Sequence, residues 1–228
     1  MEIEEDYKLE NIDLEDIEHT IAKIITSLKI TLPSDAFLEV KTFGDICEVF
    51  QKNIKYQHEE SCTTQQAFYK IRNAIAISQK IDRKNISPGT RLDEIFPRIG
   101  RRKKIKKFQK ELAIPVNFLT MKTWLVLSII AGFLISLVAF FFNWKFALTG
   151  VLSCLIFNWI ATKLQQEIEL ISIGNLAKKI AREHYLQARR NQDTINKREI
   201  TKVIQCNFIA DHDLKPTDLY QDALLSKC

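Results

Sequence analysis

The chain has 228 residues, with 33 Lys or Arg against 28 Asp or Glu and a formal net charge of +5. Six glycines and five prolines are too few for a long disordered or low-complexity region. The five cysteines (Cys47, Cys62, Cys154, Cys206, Cys228) form no CxxC pair. That excludes the usual zinc and disulfide frameworks and predicts reduced thiols.

The opening MEIEEDYKLE lacks the basic and apolar regions of a secretory signal. Leu14 to Leu28 then carries Leu14, Ile17, Ile21, Ile24, Ile25 and Leu28 at helical spacing, with acids on the other face. Pro33 stops this helix. Thr42 predicts an N-cap with Asp45 at the capping-box position, and Ile46, Val49 and Phe50 form the apolar side. Thr63 opens a third helix with Gln66 at the same box position, and Phe68, Ile71, Ile75 and Ile81 make its stripe. Ile86 to Thr90 reads as a loop and Arg91 to Phe96 as a short turn. Arg101 to Leu112 reads as a basic amphipathic helix with Ile105, Phe108 and Leu112 on one side, ended by Pro115.

Met121 to Phe142 and Phe146 to Thr162 are two apolar arms, and the only charge between Lys122 and Lys163 is Lys145. As helices they would reach about 33 Å and about 26 Å, against a hydrocarbon core of about 30 Å. The expectation is a two-helix transmembrane hairpin over 121–162, apolar all round rather than along one stripe. Arg98 to Lys110 (RIGRRKKIKKFQK) precedes the hairpin with eight Lys or Arg and no acid. Lys163, Lys178, Lys179, Arg182, Arg189 and Arg190 follow it. By the positive-inside rule both ends face the cytoplasm. The expected location is a bacterial inner membrane, with multi-pass topology and both termini cytoplasmic.

Beyond the arms, Ser172-Ile173-Gly174-Asn175 starts a helix with Leu176, Ile180 and Tyr185. Asn196 caps another, with Ile200, Val203 and Ile204 on its apolar side and Glu199 at the box position. Leu214-Lys215-Pro216 and Leu219 to Leu225 close the chain. No strand pattern stands out, so the remainder is expected to be all-α. Two echoes run through the sequence. Thr42 to Ile46 matches Ser172 to Leu176, each after an apolar-Pro pair (Leu32-Pro33, Ile114-Pro115). Thr63 to Phe96 matches Thr194 to Leu225, each a helix, an apolar-x-Pro loop and a short apolar turn.

In this order the pieces resemble the acyl carrier protein family. Ile86-Ser87-Pro88-Gly89-Thr90-Arg91-Leu92 looks like its long loop. Phe108 to Pro115 looks like the end of its second helix, and Ser172 to Leu176 like the start of its third. The resemblance implies a middle carrier-like bundle, 63–116 plus 169–186, with the hairpin inserted before its last helix. It also implies a second bundle, with residues 1–57 as one half and 194–228 as the other, paired in cis or in trans. Family members attach phosphopantetheine to the Ser of an Asp-Ser-Leu. Here Ile12-Asp13-Leu14 offers a carboxylate instead, and Phe96 to Gly100 contains no Ser. No cofactor is therefore expected.

The strongest functional feature is the basic run, with Arg98, Arg101, Arg102, Lys103, Lys104, Lys106, Lys107 and Lys110 as candidate anionic-lipid contacts. No recognition motif accompanies it, so nucleic acid is not an expected partner. The acidic N-terminal helix, opposite in charge, is a candidate to dock on it. His58 and Cys62, Asp211-His212-Asp213, and His184 read as ordinary polar residues rather than metal or acid-base sites. No phosphate loop or nucleophile elbow is present. The expected function is a non-enzymatic, membrane-anchored docking or scaffolding protein. Its expected partners are the lipid bilayer, anionic headgroups, proteins of acyl metabolism, and a second copy of itself. A tethered working acyl carrier and an accessory subunit of a membrane complex are the alternatives.

Overall fold

The computed structural model describes residues 9–141, 143–163 and 167–225, without the side chains of residues 10, 146, 147 and 163. In chain order the elements are α1 (Leu14–Leu28), α2 (Phe43–Asn53), β1 (Gln57–His58), α3 (Thr63–Gln79), α4 (Leu92–Ile95), α5 (Arg101–Leu112) and β2 (Leu119–Thr120). Then come α6 (Thr123–Ala139), α7 (Trp144–Lys163), β3 (Glu167–Ile168), α8 (Ile173–Glu183), α9 (Tyr185–Ala188), β4 (Thr194–Ile195) and α10 (Lys197–His212). The described residues are mostly helical. The expectation of no strands is corrected by two short ladders: β1 pairs parallel with β4, and β2 antiparallel with β3. Both ladders are two residues long, too short to leave a period in the sequence. The chain forms two units. Met1–Asn73 and Leu176–Cys228 make unit 1, and Ala74–Asn175 makes unit 2.

Unit 1 is built on the apolar stripe of α1. Ile17, Ile24 and Leu28 are buried, and Lys29 ends the helix in the left-handed region at φ 47°. Thr42 caps α2 as a full capping box with Asp45. Two backbone amides and the Thr42 hydroxyl hold the Asp45 carboxyl below its usual range. Phe43, Ile46 and Phe50 of α2 pack with Ile200, Ile204 and Phe208 of α10 in one core, and Phe43 meets Phe208 edge-on at 5.6 Å. The C-terminal segment closes on the start of α2. Phe43 N–H donates to Ala223 O at 2.9 Å, Gly44 N–H to Gln221 O at 2.8 Å, and Leu225 N–H to Lys41 O at 3.0 Å. A Cβ on Gly44 would lie 2.7 Å from that Gln221 oxygen, so only glycine permits the approach.

Unit 2 repeats this joint. Ile173 N–H donates to Thr90 O at 3.0 Å, Gly174 N–H to Pro88 O at 2.8 Å, and Leu92 N–H to Ile171 O at 3.1 Å. A Cβ on Gly174 would lie 3.0 Å from the Pro88 oxygen. Helix α5 stands as α1 does, with Ile105, Phe108 and Leu112 buried and Ala113 left-handed at φ 54°. Lys80 after α3 and Asp213 after α10 are both left-handed, at φ 58° and 53°, and a short 3-10 turn follows each. Phe96, Phe108 and Phe118 pack together, with ring centroids 5.4 to 6.3 Å apart.

The transmembrane hairpin is corrected. No described helix is long and apolar enough to cross a membrane. Helix α6 has 17 residues, about 26 Å. Lys122 is only its N-cap and the helix stops at Ala139, so five residues of the expected arm lie outside it or beyond description. Helix α7 has 20 residues, but Lys145, Thr149, Ser153, Asn158, Thr162 and Lys163 dilute its apolarity. Phe142 and the side chains of Phe146 and Lys163 lie outside the described residues. The expectation of a multi-pass bacterial inner-membrane protein with both termini cytoplasmic, which rested on two spans, falls with them.

The two helices nonetheless pack on each other through small residues. A Cβ on Gly150 would overlap Ser136 Oγ, and one on Gly132 would lie 3.1 Å from Cys154 Sγ. The bulky residues point outward on all sides, and Trp124, Leu127, Ile135, Phe141 and Trp159 are each about six-tenths exposed or more. At the foot of the hairpin, β2 and β3 pair, and Glu169 N–H donates to Phe118 O at 3.0 Å.

Candidate functional site

Helix α5 divides the basic run by its own period. Every third or fourth residue turns into unit 2 (Arg101, Ile105, Phe108, Leu112), so the positions between must face outward. Arg101 is 7% exposed and donates from Nε to the Phe96 carbonyl at 2.7 Å. Its charge is used inside the fold. Arg98 is paired with Glu167 of β3 at 3.2 Å, and Lys122 lies 4.0 Å from the same carboxylate. These pairs tie the start of the basic helix to the foot of the hairpin. Of the eight candidates, Arg102, Lys103, Lys106, Lys107 and Lys110 are exposed and Lys104 is half-buried; Arg98 is exposed as well but holds its ion pair with Glu167. Those six remain available, while Arg98 and Arg101 make contacts within unit 2.

Two open clefts flank α5. One, about 560 Å³, is lined by Lys80, Lys103, Lys104, Lys107 and Glu94 among others. The other, about 670 Å³, holds Lys106 and Lys110 beside Gln109 and Ile114 to Asn117. Gln79 closes the first from below, donating from Nε2 to Ser78 Oγ at 3.0 Å and to the Lys104 carbonyl at 3.2 Å. Gln109 closes the second by donating to Val116 O at 2.7 Å. No carboxylate among the described residues pairs with Lys80, Lys103, Lys104 or Lys107.

The other sequence candidates fall apart as sites. His58 lies in β1 and its Nδ1 accepts from Lys197 N–H at 3.2 Å, while Cys62 is exposed. No metal-binding group of side chains is present among the described residues. His184 is half-buried and N-caps α9. Asp13 N-caps α1 and is exposed. Neither Asp13 nor residues 96–100 supply the hydroxyl that phosphopantetheine attachment requires, so the residues present do not fit that group. Burial pushes the Cys47 thiol up to about 12, which makes it an inert packing residue. Asp211 and His212 do converge with α1. Thr20 Oγ1 donates to Asp211 Oδ2 at 3.0 Å and lies 2.9 Å from His212 Nε2, and Lys23 pairs with Asp211 at 2.9 Å. Thr20 is fully buried, so this cluster fastens helices and presents no nucleophile.

Sequence reasoning missed the buried hub of unit 1. Arg189 is fully buried. It donates to Thr63 Oγ1 at 2.9 Å, Ser61 Oγ at 2.8 Å, Thr194 Oγ1 at 3.3 Å, and the carbonyls of Ser61 and Glu59. Thr194 and Ser61 hold the Glu59 carboxyl below its usual range, helped by the Arg189 charge. The two expected capping boxes are redirected into this hub. Glu199 reaches Thr63 at 2.7 Å, and Gln66 takes up Ser61 Oγ and the Arg190 amide. No local signal marks Arg189, because its partners lie up to 130 residues away.

Compared with known proteins, the chain matches no family model, no curated protein and no solved structure.

Proposed function

We propose that this chain is a non-enzymatic docking protein held at an anionic lipid surface. The observation that carries the reading is the inside-out hairpin beside a basic helix. Small residues fill the α6–α7 contact while bulky apolar side chains face outward all round. A protein partner on one face of the hairpin would leave the rest of this apolar surface in water, whereas lipid tails would cover all of it. Trp124 and Trp159 sit near the foot, where indole rings favour the headgroup level. The outward lysines of α5 add electrostatic attraction to anionic headgroups, about 1 kcal/mol each near the surface. The reading asks for burial of the hairpin side chains in lipid, not for a span. Proteins of acyl-chain metabolism are the docking partners that the acyl-carrier resemblance suggests.

The three tryptophans of the chain, Trp124, Trp144 and Trp159, all lie on the hairpin, so they report its surroundings without labelling. Mixed with vesicles of phosphatidylcholine and phosphatidylglycerol, the protein should co-float and its emission should shift to the blue. Lipids brominated on the acyl chains should quench it. Unchanged emission with unbrominated and brominated vesicles alike would reject the reading.

A further inference from the structure

The clefts on the two sides of α5 are not equivalent, and the internal repeat shows why. The corner between α3 and α5 in unit 2 has a counterpart between α10 and α1 in unit 1. Counting back from the left-handed residues that end these helices, Ser78 and Gln79 match Asp211 and His212. Lys103, Lys104 and Lys107 match His19, Thr20 and Lys23. The unit 1 corner is closed on itself: Asp211 takes both Thr20 and Lys23, and His212 meets Thr20. In unit 2 the acid and the histidine are replaced by Ser78 and Gln79, and Lys80 follows where Asp213 stands. Four lysines then surround about 560 Å³, with Glu94 the one acid lining it among the described residues.

This arrangement costs stability if nothing is bound. Lys103 and Lys107 are four apart on α5, and Lys104 and Lys107 three apart. Like charges at those spacings repel each other. Along with the missing carboxylate at position 78, the geometry selects for an external anion of more than one charge. A phosphomonoester carries about −1.5 to −2 at pH 7 and three acceptor oxygens, and lysines bind such a group as point charges. A phosphodiester carries only one charge and leaves most of the cluster unmatched.

We propose that the cleft lined by Lys80, Lys103, Lys104 and Lys107 is a phosphomonoester-binding site. Resting on the lipid-surface reading, it names the headgroup class as one with a terminal phosphate. The shared chemistry belongs equally to a soluble phosphomonoester, so the test has two arms. In the first, the full chain is titrated against vesicles of matched surface charge containing phosphatidic acid or phosphatidylglycerol. In the second, glycerol 3-phosphate is titrated in the absence of vesicles, with binding followed by calorimetry. Two variants are compared. Lys103→Gln/Lys104→Gln/Lys107→Gln empties the cleft of charge. Lys106→Gln/Lys110→Gln removes charge from the opposite side of the same helix.

The wild type should favour phosphatidic acid by about tenfold or more. The cleft variant should lose that preference while keeping residual binding to both vesicles, and the control variant should weaken both in parallel and keep the preference. Saturable binding of glycerol 3-phosphate that the cleft variant alone abolishes also supports the site. It identifies a soluble ligand if no vesicle is bound, which would reject the lipid reading and leave this one standing. Equal binding of the two vesicle types with quenched tryptophans, and no glycerol 3-phosphate bound, would overturn the site and leave the lipid reading intact. Equal effects of the two variants on the preference would overturn it as well.

Discussion

The α1–α10 corner of unit 1 and the α5–α3 corner of unit 2 share a backbone and differ in electrostatics. Each sets a helix ending in a left-handed residue against the last turn of a longer helix. In unit 1 that last turn carries Asp211 and His212, and the corner is fastened by side chains. In unit 2 it carries Ser78 and Gln79, the fastening passes to a backbone carbonyl through Gln79, and the lysines of α5 are left facing outward. The side chains at the helix end, with Thr20 against Lys104 facing them, make the same corner a clasp in one unit and a cleft in the other. The core beneath is unaffected, because Ile24 and Phe108 are buried in either case.

The largest expected effect separates the units outright. Arg189→Ala removes the buried guanidinium and takes its donors away from Thr63 and from the Ser61 and Glu59 carbonyls, at about 1–3 kcal/mol for each buried group left unsatisfied. Hydrogen exchange should then become fast across α1, α2 and α10 while amides around Phe108 stay protected. Equal loss of protection in both units would break the comparison. The glycine joints come next. Gly44→Ala forces a contact of 2.7 Å on a backbone oxygen and Gly174→Ala one of 3.0 Å. Overpacking of this kind costs about 1–3 kcal/mol. Urea unfolding should place Gly44→Ala at the upper end, and the reverse ranking would mean the two joints are not alike.

Smaller changes sharpen the contrast between the corners. Ser78→Asp places a carboxylate where unit 1 has Asp211. It should weaken glycerol 3-phosphate binding severalfold, with thermal stability changed by no more than about 0.5 kcal/mol. Asp211→Ser opens the unit 1 corner, and the exposed partner Lys23 limits the ion-pair part of the loss to about 0.2–1 kcal/mol. The smallest effect is on pH dependence. Burial holds the His212 pKa below its usual value of 6.5, and Lys23 adds to this against the opposing pull of Asp211 and Asp16. The unfolded chain therefore binds the proton more readily than the folded one. The neutral-histidine contribution is full above pH 6.5 and is lost as pH falls through the lower folded value. The melting temperature should drop as pH falls from above 6.5 through the lower folded value, and His212→Gln, which copies Gln79, should flatten that part of the profile. An unchanged slope would count against the clasp.

What was legible in the sequence was whatever depends on near neighbours. The spacing of Ile17, Ile24 and Leu28 gives α1 its bounds, and Ile105, Phe108 and Leu112 do the same for α5. Thr42 with Asp45 marks the cap of α2 because both partners lie within one turn. The Thr63 hydroxyl that draws Glu199 and the Arg190 amide that draws Gln66 come from the other half of unit 1, so both capping boxes look normal in sequence while their acceptors serve distant donors in the fold. The length of the apolar arms misled for a related reason. Apolarity persists through Met121 and Phe141, but the helix does not.

By itself, then, the sequence determined the helix faces, the apolar hairpin and the outward basic side of α5, since each follows from side-chain period and chain stiffness. Tertiary structure alone decided that Arg189 is a buried hub, that Arg98 and Arg101 are spent on the fold, and that Lys80 joins Lys103, Lys104 and Lys107 around one cleft. Those outcomes depend on which segments meet, from Arg101 on the nearby Phe96 carbonyl to Arg189 on residues up to 130 away, and side-chain period does not encode which segments those are.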